Sequence, residues 1–324
     1  YLHHARGGAR YADPNAMSQA LIAAAHTAGI RITLLDTLYL HGGIGVEPND
    51  VQRRFSDGSA SAWVERVDRL GAHHHALLGA AVHSVRAVDP ESMDVVRQWA
   101  GSRDAVVHAH VSEQPAENEQ CQAAYGCTPT ALLHEHGLTD HRFTAVHATH
   151  LTEGDVSLLG AGRCTVCMCP TTERDLADGI GPTAQLVAAG AGLSLGSDSH
   201  AVIDMFEEAR AVELDERLAS LRRGTHRASS LLEAATVRGH ASLGWDTAGV
   251  IQPGRLADLV TVSLGSVRTA GASGASMLET AVFAASAADV IHVVVGGRVV
   301  VADGRHRSLD VGSALTAAIT AVVS

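Results

Sequence analysis

Four short segments carry side chains whose types and spacing suit metal binding and proton transfer. In HAHVSE (108–113), His108 and His110 are two residues apart, so a strand puts both on one face, with Glu113 just past the strand end. One imidazole ligand beside a carboxylate that is not a ligand fits metal-assisted hydrolysis. The ion lowers the pKa of a water, and the carboxylate carries the proton. HATH (147–150) closes the next apolar run, where a neutral His147 can orient or deprotonate water. GSDSH (196–200) closes a third run. Its small-residue bend lets Asp198 come close to a site, and a carboxylate there can both bind zinc and accept a proton. HSVR (83–86) adds His83 and the planar fork of Arg86, which suits a carboxylate. Each segment has a plainer use: strand-end caps for the histidines, a helix cap for Asp198, a surface salt bridge for Arg86. Their order on successive strands favours chemistry.

The elements that must position them alternate. Strands are expected at 31–40, 79–85, 104–113, 143–150, 164–169 and 193–199. Helices are expected near 60–71, 90–101, 128–137, 152–162, 182–190, 203–222 and 227–239, with Thr152 as an N-cap. Six strand-plus-helix units in a row imply parallel strands joined by crossover helices. Periodicity alone does not separate an open sheet from a barrel. The placement of His83, His110, His147 and Asp198 near C-terminal strand ends favours a TIM-type barrel, whose active site lies there. The expected class is therefore α/β, an incomplete (β/α)8 barrel over 1–246, about two units short of eight. Gly- and Asp-punctuated apolar runs over 247–310 predict a small β-sandwich portion, with Gly296–Gly297 as a turn, and 311–324 predicts a C-terminal helix. The chain opens at Tyr1 inside patterned sequence, so missing upstream sequence is expected.

Composition limits the partners. Of 324 residues, 46% are hydrophobic, and 24 basic against 35 acidic residues give a net charge of −11, which argues against nucleic-acid and membrane surfaces. No apolar run reaches the roughly 18 residues of a membrane span, and no signal peptide is visible. The five cysteines follow no disulfide framework, which suits a reducing cytoplasm. Cys164, Cys167 and Cys169 alternate along the apolar run RCTVCMC and read as core thiols in preference to a zinc knuckle. His73, His74 and His75 read as a solvated loop.

HAHVSEQ, VHATH and GSDSH, followed by GVIQPGRLADLV, resemble the amidohydrolase superfamily. YLHH (1–4), YADP (11–14), QRRF (52–55), HSVRAV (83–88) and CPTTERDLADGI (169–180) resemble its formimidoylglutamate deiminase branch, and the likeness runs along essentially the whole chain. The resemblance implies a metal-bearing barrel flanked by a β-sandwich, one Zn2+ per subunit, a homodimer and hydrolysis of N-formimino-L-glutamate, a small anionic substrate. It implies zinc ligation by His110 and Asp198, with Asp198 also a proton acceptor. Glu113 would shuttle a proton to the departing nitrogen, and His147 would activate water. His83, Arg86 and Tyr1 would contact substrate. The family's first-strand His-x-His pair has no counterpart, and the adjacent His3 and His4 would point to opposite faces of a strand. Two alternatives stay open: an aminohydrolase of another substrate such as a nucleobase, which the 3% aromatic content disfavours, and a catalytically inactive fragment that only binds. Ligands of this kind also suit divalent ions other than zinc.

Overall fold

The structure, a computed structural model, describes residues 1–71 and 73–323. Six parallel strands form one sheet in chain order: β1 (Ile32–Leu38), β2 (Ala76–Val82), β3 (Val107–Val111), β4 (Phe143–His147), β5 (Thr165–Met168) and β6 (Gly192–Leu195). All six expected strands form. β1 and β6 are the edges and do not pair with each other among the described residues, so the barrel is not closed by hydrogen bonds.

Helices follow the strands in the crossover pattern. They are α1 (Ala16–Ala28), α2 (Ala60–Val67), α3 (Pro90–Gly101), α4 (Pro115–Tyr125), α5 (Pro129–Glu135), α6 (Glu153–Ala161), α7 (Pro170–Asp175), α8 (Thr183–Ala189), α9 (Met205–Ser220), α10 (Ala228–Ala235) and α11 (Val237–Ser242). Their starts are chemically marked. Asp89, Thr128 and Thr152 accept hydrogen bonds from backbone N–H groups in the first turns of α3, α5 and α6, and the Asp155 side chain returns the bond to Thr152 in a capping box. The core lies between sheet and helices, where Leu38, Val82, Val111, Phe143 and Val166 meet Trp63, Met93, Leu133, Leu159 and Leu186. Trp63 and Trp99 join α2 to α3 edge to face, with ring centroids 5.3 Å apart.

Beyond the barrel lie α12 (Met277–Ala284) and a second sheet of β7 (Leu259–Val262), β8 (Val290–Val295), β9 (Arg298–Ala302) and β10 (Arg305–His306). The β portion expected at 247–310 forms an antiparallel sheet whose four strands share one ladder. Gly296 and Gly297 both take positive φ in the β8–β9 turn, as a two-residue hairpin requires. The ion pair Arg31–Asp258, at 2.8 Å, and the hydrogen bond from His306 to the Ala28 carbonyl tie this sheet to the N-terminal end of the barrel. The expected C-terminal helix is α13 (Val311–Val323), exposed along its length; Ser324 lies outside the described residues.

Candidate active site

Strands β3, β4 and β6 bring their terminal residues to one end of the sheet. Near these ends the backbone turns through left-handed conformations at non-glycine residues: Ser112 (φ 50°), His147 (67°), Ala148 (51°) and Asp198 (37°). Such geometry is uncommon outside glycine and costs energy, and its clustering here marks a site that the surrounding packing holds in place.

His110 is held by the strand before it. Its Nδ1–H donates to the His83 carbonyl at 2.6 Å, which fixes the tautomer and leaves Nε2 as a lone-pair donor. Its ring stacks on that of His147 with centroids 5.6 Å apart. Burial and the neighbouring His147 lower its pKa, so it stays neutral, as a metal ligand must be.

His147 is fully buried and sits among three carboxylates. Its Nδ1 is 3.3 Å from Glu173 Oε1. Its Nε2 is 3.7 Å from Asp198 Oδ2 and 3.8 Å from Glu113 Oε1, and this buried atom has no hydrogen-bond partner. Burial opposes the imidazolium, but the bond to Glu173 and the charges of Glu113, Glu173 and Asp198 outweigh it and raise the pKa. Lone pairs and carboxylates converging on an unpartnered buried nitrogen fit a divalent ion or a water. His147, Cys169 and Glu173 have ligand atoms within 4.8 Å of one another, and the free Nε2 of His110 lies in the ring stacked on His147.

The Glu113 carboxylate is also held from the other side. Arg86 Nη2 donates to Glu113 Oε2 at 3.0 Å, while Arg86 Nε lies 3.0 Å from buried Glu117. Arg86 therefore faces two protein carboxylates, hydrogen-bonding Glu113 through Nη2 and making an ion-pair contact with Glu117 through Nε, which has no hydrogen-bond partner among the described residues. His83 packs edge-on to Tyr39 at 4.6 Å and against His110 at 4.9 Å. Burial, His110 and Arg86 push its pKa down to about 3, so its imidazole is neutral.

The Tyr1 hydroxyl donates to Asp36 and lies 2.9 Å from Ser18, in the layer between β1 and the helices outside it, while the Tyr1 amino group is close enough to His83 to help lower its pKa. Asp36 is a buried carboxylate that needs donors, and Tyr1 joins Trp63 and Arg66 in supplying them. His3 and His4 belong to the same outer layer, His3 beside Arg66 and Asp57 and His4 on the Ser56 carbonyl. His108 shares the His110 face one layer deeper, bonded to the Ser242 carbonyl at 2.8 Å. His150 caps the Asp178 carbonyl at 2.7 Å.

Two side chains that sequence reasoning left unassigned, Glu173 and Glu117, and one it read as a core thiol, Cys169, support this cluster. Glu173, in α7, accepts from the Cys169 N–H at 2.8 Å as well as facing His147. Glu117 accepts from the Ser112 N–H at 2.9 Å, fixing the turn between His110 and Glu113. Cys169 is not a plain core thiol like Cys164: its Sγ lies within 4.8 Å of the facing His147 and Glu173 atoms. Its contact with Cys167 and its burial keep it protonated. The available signal was the segment CPTTE directly after a strand, where an acid five residues past the strand end returns to the sheet.

Residues 8–300 match the model of the amidohydrolase family. The chain belongs to that family. Its relatives place it among amidohydrolases that break C–N bonds. It is 38% identical over 317 residues to formimidoylglutamate deiminase of Pseudomonas aeruginosa, an alignment covering 94% of this chain and 69% of that protein. It is 33% identical over 231 residues to a 5-methylthioadenosine/S-adenosylhomocysteine deaminase of Pelotomaculum thermopropionicum, covering 70% of this chain and 53% of the relative, so it spans about half of the latter's length. An amidohydrolase from Brucella melitensis superposes with a TM-score of 0.88 at 31% identity, over all of this chain and 73% of the other. An adenosine deaminase from Xanthomonas campestris with bound zinc superposes at 0.81 and 25% identity, over 97% of this chain and 71% of the other. These amidohydrolases share its fold, and the zinc in the Xanthomonas structure supports a metal cofactor. Among the described residues no helix is long and apolar enough to cross a membrane.

Proposed function

We propose that this amidohydrolase chain carries the centre of a zinc-dependent hydrolase that converts N-formimino-L-glutamate to N-formyl-L-glutamate and ammonia. The observation that carries the reading is the convergence of Glu113 and Asp198, at 3.8 and 3.7 Å, on the unpartnered Nε2 of His147. The relative that is 38% identical over 94% of the chain supports the substrate assignment. Zinc at His110 and Asp198, one ion per subunit, would supply Lewis acidity and a more acidic water.

The protein groups divide the proton work. Water adds to the formimino carbon, and Asp198 with His147 takes its proton. Glu113 delivers a proton to the nitrogen, the C–N bond breaks, and ammonia leaves. Glu173 holds the His147 ring so that Nε2 faces this exchange. His83 and the remaining amino group of Arg86 contact the anionic substrate, turning binding into orientation. The hydrogen bond from Arg86 to Glu113 supports this division, with a carboxylate anchor beside a proton carrier.

A second reading has its own support. Tyr39, with Phe55 at 5.9 Å, stands beside His83 and offers an aromatic face to a purine-like substrate, in line with the deaminase relative of Pelotomaculum. Glu113→Gln tests the proton assignment under either reading. In the zinc-loaded protein it is expected to lower kcat by roughly 10²–10⁴-fold with the fold intact. Wild-type turnover by that variant would contradict the mechanism.

A further inference from the structure

At the opposite end of the sheet, three histidines from two segments come together. His26 lies in the last turn of α1, and His74 and His75 lead into β2. One ring nitrogen from each falls within 4.8 Å of the other two. The His26–His75 and His74–His75 ring centroids are 4.8 and 5.0 Å apart. The three rings line a cleft of about 330 Å³ where α1 meets the small sheet, opposite Gly296 and Arg298.

The state of His75 makes this more than crowding. Its Nε2 is 3.2 Å from the Ile22 carbonyl, which can only accept, so Nε2 carries the proton. Nδ1 is then a bare lone pair, and it is buried without a partner. Metal-ligating histidines show this arrangement, with one nitrogen committed to a carbonyl and the other free for the ion. An ion bound at 2.0–2.1 Å needs tetrahedral ligand nitrogens roughly 3.3 Å apart. Side-chain rotation of His26 and His74, both exposed, covers the difference. Of the two arginines that line the cleft, Arg31 and Arg298, Arg31 is paired with Asp258.

We propose that His26, His74 and His75 form a second metal site, for an imidazole-preferring divalent ion such as zinc, with solvent in the fourth position. The site is structural. β2 separates it from the catalytic end by seven residues of strand, roughly 23 Å at 3.3 Å per residue. An ion there joins the end of α1 to the segment entering β2, at the seam with the small sheet. The solvated loop expected at 73–75 is thus an ordered ligand-bearing segment.

Zinc stoichiometry tests this independently of the catalytic reading. Protein carrying His110→Ala and Asp198→Ala, which removes the catalytic ligands, is dialysed against buffered zinc and analysed by mass spectrometry for metal. One zinc per chain is expected, with a rise in melting temperature on zinc addition. Adding His26→Ala and His74→Ala should abolish both; these residues are exposed, so the fold is retained. In the otherwise unaltered protein, the same pair should lower zinc by one per chain and leave kcat/KM unchanged. Zinc content unaffected by the His26→Ala/His74→Ala pair, or no zinc in the catalytic-ligand variant, would overturn the proposal.

Discussion

Glu173 Oε1 stands 3.3 Å from His147 Nδ1 and takes the Cys169 N–H at 2.8 Å. The carboxylate therefore sets both the tilt and the charge preference of the imidazole. Glu173→Gln keeps a hydrogen-bonding group of the same size and removes the charge. It is expected to lower kcat roughly 10–100-fold, the usual cost of losing such a supporting group, with KM little changed. Because Glu173 contributes to the raised pKa of His147, the limb of the pH–rate profile that reports His147 should move to lower pH. A fall in rate without that movement would reduce Glu173 to a packing role.

His108 makes stability depend on pH. Burial, reinforced by His110, pushes its pKa down to about 4 in the folded chain, against roughly 6.5 when unfolded. Below 6.5 the unfolded state binds the extra proton, so stability is full above that pH and falls as pH drops toward 4. The loss approaches about 3 kcal/mol. Urea midpoints across this range should decline for the wild type. They should decline less for His108→Gln, which still donates to the Ser242 carbonyl. Equal slopes would assign the dependence to other groups.

The outer layer of β1 carries a buried charge network. Arg66 bridges Asp36 at 2.6 Å and Asp57 at 2.9 Å, while Trp63 donates to Asp36 at 2.9 Å. Asp36→Ala leaves these donors unpaired and is expected to cost about 3–5 kcal/mol. Asp104→Ala, which breaks an ion pair with Arg142 from an exposed carboxylate, should cost no more than about 1 kcal/mol. Chemical denaturation of the two variants compares them directly, and similar losses would contradict the burial argument.

The strands were legible because β-branched and apolar runs end in chemistry-bearing residues: VVHAHV before Glu113, FTAVH, and GLSLGSD. Order along the chain then placed His110, His147 and Asp198 at one end, and the structure brings them together with Glu113. α4 was missed because PAENEQCQAAY is polar without a clear apolar stripe. The bond from the Tyr1 hydroxyl to Asp36 was not legible, because local sequence does not reveal that Asp36, 35 residues away, is a buried carboxylate in need of donors. Glu173 and the pairing of Arg86 with Glu113 and Glu117 were hidden for a related reason. What each does depends on the side chain opposite, and only tertiary packing supplies that partner. The His75 tautomer, fixed by an α1 carbonyl, is likewise absent from any sequence pattern.

The central claim concerns substrate, and ammonia release measures it most directly. The zinc-loaded protein is offered N-formimino-L-glutamate alongside adenosine, 5-methylthioadenosine and S-adenosylhomocysteine. The account predicts one ammonia and one N-formyl-L-glutamate per N-formimino-L-glutamate consumed, with the highest kcat/KM of the panel. Ammonia from a nucleoside with none from N-formimino-L-glutamate would contradict it.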